Sequence, residues 1–129
     1  MASTTPGGGQ SDLGMAPNVS GLLCYVPCCI GFVFSVVAAI VEKRNRFVRF
    51  HAFQSLLLHG AAIVLGIGLF VVHTGLAFSG LGMVGLLISL LQMVVGVAFL
   101  GLTIFLMIKA NAGEEIELPV IGPMARQWV

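Results

Sequence analysis

The chain has 129 residues, of which 58% are apolar and only 9% carry a formal charge, and its formal net charge is +1. Soluble domains carry about 25% charged residues, and a small soluble fold keeps a large wet surface that so few polar groups could not cover. The composition therefore argues against a soluble enzyme, a nucleic-acid-binding protein and a disordered chain, and it predicts a polytopic membrane protein in contact with the lipid bilayer.

Two long stretches, residues 13–41 and 50–108, contain no Asp, Glu, Lys or Arg. A membrane-spanning helix needs about 20 apolar residues, so the first stretch has room for one span and the second for two with a turn between them. We predict an all-α fold, a compact bundle of three transmembrane helices in one domain over residues 19–109. The predicted spans are residues 19–41, 52–73 and 83–108.

The two ends of the chain differ in composition from this domain. Residues 1–18 are rich in Gly, Ser, Thr and Pro and carry a single charge, which is typical of a flexible tail. Residues 110–129 contain two glycines and two prolines and predict an irregular C-terminal tail.

Most of the positive charge lies between the first two predicted spans, in residues 42–49, the basic loop. Short cytoplasmic loops carry an excess of Lys and Arg. With three spans, this predicts that the N-terminus lies outside and that the basic loop and the C-terminal tail are cytoplasmic. We expect the tail carboxylates at residues 114, 115 and 117 to pair with arginines of the loop. The basic residues of the loop are Lys43, Arg44, Arg46 and Arg49.

Each predicted helix has one face of small residues. Membrane helices associate through close packing of such residues, so we predict that these faces meet inside the bundle or at a partner. The predicted packing residues are Gly31, Ser35 and Ala39 on the first helix, Ala62 and Gly66 on the second, and Gly85, Ser89 and Gly96 on the third.

Two histidines, His59 and His73, fall inside the second predicted span. Ionisable groups within spans are functional candidates by default, and a neutral imidazole could ligate the metal of a haem or chlorophyll. The simpler interpretation is a histidine satisfied within the bundle, with His59 hydrogen-bonded to Ser89 or Gln92. A tetrapyrrole is therefore an alternative rather than an expected cofactor.

The three cysteines lie close together in the first predicted span. Cys24 and Cys28 are four residues apart and Cys29 adjoins them, but a metal site needs three or four ligands and this span has no His, Asp or Glu. We interpret them as small apolar packing residues and expect no metal site. The sequence also offers no nucleophile–base pair, carboxylate pair or phosphate-binding loop, so we expect no catalytic residues and no enzyme activity.

Two blocks, EKRNRFVRFHAFQSLLLHG from residue 42 and MIKANAGEEIELPVIGPMARQW from residue 107, resemble a family of small bacterial membrane proteins of unknown function. That family is distantly similar to the chloroplast inner-envelope protein-import channel component. The resemblance implies a compact multi-helix fold and a cytoplasmic surface shared by the two blocks. The surface residues so implied are Phe47, Arg49, Phe50, His51, Gln54, Leu118, Pro119, Ile121, Gly122 and Trp128.

The sequence thus favours a non-enzymatic structural or accessory subunit that packs with other membrane subunits in a larger complex of the bacterial inner membrane. Two alternatives stay open: a component of a protein- or solute-conducting pathway, and a chlorophyll- or haem-binding subunit of a photosynthetic or electron-transfer complex. We expect no nucleic-acid partner, and the sequence identifies no soluble substrate.

Overall fold

The computed structural model of the protein describes residues 9–129, so the part of the predicted N-terminal tail over residues 1–8 lies outside the described residues. Within the described range the fold is all-α, as predicted, and the elements follow one another along the chain without a strand. The helices are α1 (Pro17–Leu23), α2 (Cys29–Val41), α3 (Arg46–Phe78), α4 (Gly82–Asn111) and α5 (Ile121–Arg126).

The helices α3 and α4 form a long antiparallel hairpin. They contain 33 and 30 residues, and the rise of 1.5 Å per residue makes them about 50 and 45 Å long. Both are long and apolar enough to cross a membrane. The chain reverses between them at Gly80, whose φ of +79° suits a residue without a Cβ atom. The second and third predicted spans lie inside these two helices.

The first predicted span, residues 19–41, forms two short helices instead of one. Helix α1 ends at Leu23 and α2 begins at Cys29. Between them Pro27 lacks the N–H that would continue a helix and disfavours helical backbone at the residue before it, and Cys28 follows with a φ of +72°. The prediction of three transmembrane helices is therefore corrected, because the described chain contains two helices long enough to span a membrane.

Helices α1 and α2 fold back on each other as a short hairpin, residues 17–41, that packs against the first half of α3 and the last part of α4. Its turn is held by the carbonyl of Cys24, which accepts hydrogen bonds from the hydroxyls of Ser35 and Ser55. Gly31 allows the close approach, since a Cβ atom there would lie 2.2 Å from the carbonyl oxygen of Val26. The turn of the short hairpin thus lies beside residues 55–63 of α3.

The segment before α1 lies against the basic loop. Asp12 accepts a hydrogen bond from the backbone N–H of Lys43 at 2.9 Å, and its carboxylate is 3.2 Å from the guanidinium of Arg44. Asn18, in α1, donates to the carbonyl of Asn111 at the end of α4. The predicted topology, with the N-terminus outside and the basic loop inside, needs residues 12 and 43 on opposite sides of the membrane. Because they are in contact, the structure does not fit the predicted separation of the N-terminus from the basic loop.

Burial divides the molecule into two regions. The packed end, residues 9–59 and 103–129, contains every buried residue of α1, α2, α3 and α5. The bare hairpin, residues 60–102, has one fully buried residue, Gly85, and exposes large apolar side chains along both helices. The molecule is therefore a compact cluster of packed helices from which a two-helix hairpin projects.

Candidate functional site

The packed end is organised around a buried carboxylate. Glu42 has no exposed surface, and its two oxygens accept hydrogen bonds from the hydroxyl of Ser11 and from the backbone N–H groups of Asp12, Arg44 and Asn45. Four donors compensate the cost of burying a charge. In the sequence Glu42 stands out only as the first residue of the basic loop. The available signal was its position as the first acid after a 29-residue uncharged stretch.

A second buried network joins three parts of the chain. The side-chain amide of Gln54 donates to the hydroxyl of Tyr25 at 3.0 Å and to the carbonyl of Ile116 at 2.9 Å, and its oxygen accepts from the N–H of Leu118 at 3.1 Å. The Tyr25 hydroxyl, which accepts from Gln54, also lies within hydrogen-bonding distance of Nδ1 of His51, 3.0 Å away. The network fastens the short hairpin and the C-terminal tail to α3.

The surface implied by the resemblance divides into exposed and buried members. Five of the residues so implied are buried and are therefore not surface residues: Phe47, Phe50, His51, Gln54 and Gly122. The basic residues of the loop at positions 43, 44 and 46 are exposed. Trp128 is exposed, stacks on Phe53 with ring centres 6.3 Å apart, and accepts a hydrogen bond from Arg49 through its carbonyl. The two sequence blocks thus meet mainly through buried contacts.

The tail carboxylates do not pair with the basic loop as predicted. Glu114 binds Lys109, and Glu115 and Glu117 both bind Arg126. Burial opposes the charge of Arg126, but its hydrogen bonds with the two carboxylates outweigh that effect and raise its pKa. Two of the three carboxylates are thus paired within the tail itself. The guanidinium of Arg126 also lies over the ring of Phe50, 4.2 Å from its centre.

In the bare hairpin, the predicted packing residues play different parts. Gly85 faces the ring of His73, and Ser89 is 3.1 Å from Nε2 of that histidine. A Cβ atom at Gly66 or Gly96 would meet nothing within 4 Å. These two glycines therefore make no close helix–helix contact within one chain. In the short hairpin, Gly31 and Ser35 are buried and Ala39 is partly buried.

A groove lies between the two helices of the bare hairpin. Its volume is about 390 Å³, and its walls are apolar or small apart from one amide, that of Gln92. Gln92 is exposed, and no hydrogen bond joins its side chain to any other described residue. The groove is lined by Leu58, Ala61, Ala62, Leu65, Gly66, Leu69, Gln92, Val95, Gly96 and Phe99.

His59 is oriented by its own helix rather than by α4. Its Nδ1 lies 2.9 Å from the carbonyl and 3.0 Å from the hydroxyl of Ser55, so the expected hydrogen bond with Ser89 or Gln92 is not formed. Its Nε2 is buried and has no hydrogen-bond partner within residues 9–129. The sequence places His59 and His73 in one predicted span as two possible ligands of a tetrapyrrole. In the structure they occupy separate environments, His59 in the packed end and His73 in the bare hairpin.

The cysteines are also separated. Cys24 is buried and donates to the carbonyl of Ser20, while Cys28 and Cys29 are exposed at the tip of the short hairpin. All three are free thiols. Over residues 9–129 no group of three or more His, Cys, Asp or Glu side chains is arranged to hold a metal ion.

Comparison with known proteins gives relatives along almost the whole chain. A UPF0132 membrane protein of Methanocaldococcus jannaschii is 38% identical over 120 residues, which cover 93% of this chain and 94% of the relative. A UPF0132 membrane protein of Archaeoglobus fulgidus is 31% identical over 116 residues, which cover 89% of this chain and 97% of the relative. No solved structure matches.

These relatives support the expected kinship with small membrane proteins of unknown function. They give no support to a likeness with the chloroplast import component, and the organisms just named are archaea rather than bacteria. The family model described as the magnetosome magnetite crystal formation protein family matches residues 10–125. Since this match covers most of the chain, the protein is a member of the MamF/MmsF family of membrane proteins.

Proposed function

We propose that the protein is a non-enzymatic accessory subunit that assembles within the cytoplasmic membrane through its bare hairpin. The observation that carries the proposal is the unpartnered amide of Gln92 in a groove lined by small residues. The family description concerns magnetite crystal formation, and the proposal does not require the chain itself to bind iron.

An unsatisfied amide is costly in lipid. Gln92 lies about 15 Å from the start of α4, inside the uncharged stretch 50–108, where water does not satisfy its donors and acceptor, and an unsatisfied amide in an apolar medium costs several kcal/mol. A primary amide both donates and accepts, so two copies can satisfy each other. Gly66 and Gly96 beside it leave room for another helix to approach closely.

The proposed topology differs from the one expected from the sequence. We place the packed end at the cytoplasmic face, with α3 and α4 crossing the membrane and the short hairpin entering and leaving on the same side. The contact of Asp12 with Lys43 supports this arrangement, and the four basic residues of the loop favour the cytoplasmic side.

Native mass spectrometry of the full chain from lipid nanodiscs or mild detergent tests the assembly. We expect dimers or larger complexes, and Gln92→Leu should weaken self-association about 3- to 30-fold, the range expected for interhelical hydrogen bonds. Met93→Leu is the matched control, because Met93 is an exposed neighbour of similar size. A protein that always runs alone, or equal behaviour of the two variants, would contradict the proposal.

Labelling with a membrane-impermeant thiol reagent tests the topology. In a variant with the three native cysteines replaced by alanine, single cysteines at Ala16 and Ala112 should react from one side of the membrane. A cysteine at Ser79, in the turn between the two long helices, should react from the other. If the cysteine at position 16 reacted from the same side as the cysteine at position 79, the chain would cross the membrane a third time and the proposed topology would be wrong.

The two alternatives have less support. A tetrapyrrole could use the free Nε2 of His59, but the cavity beside it, about 310 Å³, is at the small end of the range for ligand sites. An absorption spectrum of the purified protein without a visible band would remove that alternative. A conducting pathway rests on the resemblance alone, and no described contact favours it.

A further inference from the structure

The turn of the short hairpin and the middle of α3 enclose a second cavity, which we call the His59 cavity. Its volume is about 310 Å³ and it is open on one side. Apart from His59 its walls are aromatic, aliphatic or thiol groups. The lining residues are Cys28, Cys29, Phe32, His59, Ala62, Ile63 and Phe99.

The hydrogen bonds of His59 define which ring nitrogen carries the proton. The hydroxyl hydrogen of Ser55 is already donated to the carbonyl of Cys24, so the Ser55 hydroxyl can only accept from Nδ1. The carbonyl of Ser55, 2.9 Å from Nδ1, also requires a donor there. In the neutral ring the proton therefore sits on Nδ1, and Nε2 presents a lone pair. His59 is 7% exposed, and Nε2 has no partner among the described residues.

The surroundings of this lone pair are those of the membrane interior. His59 is nine residues beyond Phe50, where the uncharged stretch begins, which is about 14 Å along the helix. The rings of Phe32 and Phe99 stand beside the imidazole, with centres 6.3 and 5.5 Å away. A buried acceptor without a donor costs about 1–3 kcal/mol, so a ligand that brings a donor is stabilised there.

The turn that forms one wall is strained. Cys28 has a φ of +72°, a left-handed conformation that residues with a Cβ atom adopt at a cost. Such strain persists where the surrounding structure imposes it, often at ligand sites. Here it places Cys28 and Cys29 at the mouth of the cavity, both exposed.

We propose that the His59 cavity binds a lipid-soluble phenol or hydroquinone from within the bilayer, with the ring hydroxyl donating to Nε2 of His59. Phe32 and Phe99 contact the ring through the edge and face geometries that aromatic pairs favour, and the hydrocarbon tail leaves through the open side into lipid. The cavity has room for a single-ring head group. This inference goes beyond the assembly role and does not depend on it.

The test measures binding of a long-chain 4-alkylphenol to the full chain in lipid nanodiscs. Its methyl ether is the control ligand, because it keeps the ring and the alkyl chain, adds one methyl group and lacks the hydrogen-bond donor. We expect the wild-type protein to bind the phenol about tenfold more tightly than the ether. His59→Leu should lose this preference and bind both compounds equally.

His73→Leu is the control for the loss of a histidine, because His73 has Ser89 as its partner and lies outside the cavity. It should keep the tenfold preference. In ¹⁵N spectra of the wild-type protein, the phenol should move the Nε2 resonance of His59 and leave the resonances of His73 in place. Occupation should also slow alkylation of Cys28 and Cys29 by a lipid-soluble maleimide.

Equal affinity of the wild-type protein for phenol and ether would overturn the proposal, and this comparison needs no variant to fold. Loss of the preference in His73→Leu as well as in His59→Leu would also overturn it. So would an unchanged Nε2 resonance at a phenol concentration that saturates binding.

Discussion

The packed end and the bare hairpin are made from the same two long helices, yet they are stabilised in different ways. The first 14 residues of α3, from Arg46 to His59, contain all of its buried residues. In the packed end, buried polar side chains such as Glu42 and Gln54 form hydrogen bonds within the chain. Beyond His59 the same helix exposes apolar side chains, and Gln92 opposite it has no partner among residues 9–129. Most buried polar groups of the packed end are satisfied within the chain, with Nε2 of His59 as an exception, whereas the bare hairpin leaves its apolar surface and the Gln92 amide to its surroundings.

The largest expected effect is on the buried carboxylate of the packed end. Glu42→Ala leaves four donors without their acceptor, and we expect a loss of about 3–5 kcal/mol in the free energy of unfolding. Thermal unfolding in detergent measures the loss. Glu114→Ala is the control, because its ion pair with Lys109 is exposed and such pairs contribute about 0–1 kcal/mol. Equal stability of the two variants would show that Glu42 does not organise the packed end.

A pair of glycine substitutions compares the two regions directly. Gly31→Ala would put a Cβ atom 2.2 Å from the carbonyl of Val26 and should cost about 1–3 kcal/mol. Gly68→Ala in the bare hairpin meets nothing within 4 Å and should stabilise α3 by up to about 1 kcal/mol through helix propensity. Both changes are read as shifts in the unfolding midpoint. The contrast between the regions fails if the shifts have the same sign.

Gln54 tests how the C-terminal tail is attached. Gln54→Leu removes three hydrogen bonds and leaves the carbonyl of Ile116 and the N–H of Leu118 without this partner, at an expected cost of about 2 kcal/mol. Hydrogen exchange should then accelerate in residues 110–129 and remain unchanged in the bare hairpin. Uniform acceleration along the chain would indicate that the tail is not a separate unit.

The smallest effect is expected at Arg126. Arg126→Gln removes two partly exposed ion pairs and the contact with the ring of Phe50, and we expect a loss of about 1 kcal/mol or less. The loss should shrink at high salt, because exposed charges are screened. A loss of stability above about 1 kcal/mol that does not depend on salt would contradict this expectation. It would mean that Arg126 stabilises the packed end more than its partial exposure indicates.

Several features of the fold could be predicted from local patterns. The all-α class and the two long helices follow from the uncharged stretch 50–108, because length and hydropathy act over contiguous residues. The break at Pro27 is also local, but membrane helices often accept a proline, and the conformation of Cys28 leaves no mark in the sequence. The first predicted span, residues 19–41, was wrong as a single helix for that reason.

The polar contacts could not be predicted, because they join distant parts of the chain. Gln54 reaches Ile116 and Leu118 across more than 60 residues, and the partner of Glu42 before α1, Ser11, lies 31 residues away. Helical spacing places His59 and Ser89 on faces that could meet, yet Ser55 on the same helix is nearer and binds the imidazole first. The sequence identifies these polar residues, but their partners depend on how the helices pack, which the sequence pattern does not specify.

The hydrogen bond between Asn18 and Asn111 has a consequence for synthesis on the ribosome. It joins positions 93 residues apart, and α1 packs against the last part of α4. The short hairpin and the first half of α3, against which it packs, are made early, but the last part of α4, which also covers α1, is made much later. During that interval Gly21 has its neighbours Phe47 and His51 of α3 but lacks Ala110 of α4. Final closure of the packed end therefore waits for the last turns of α4.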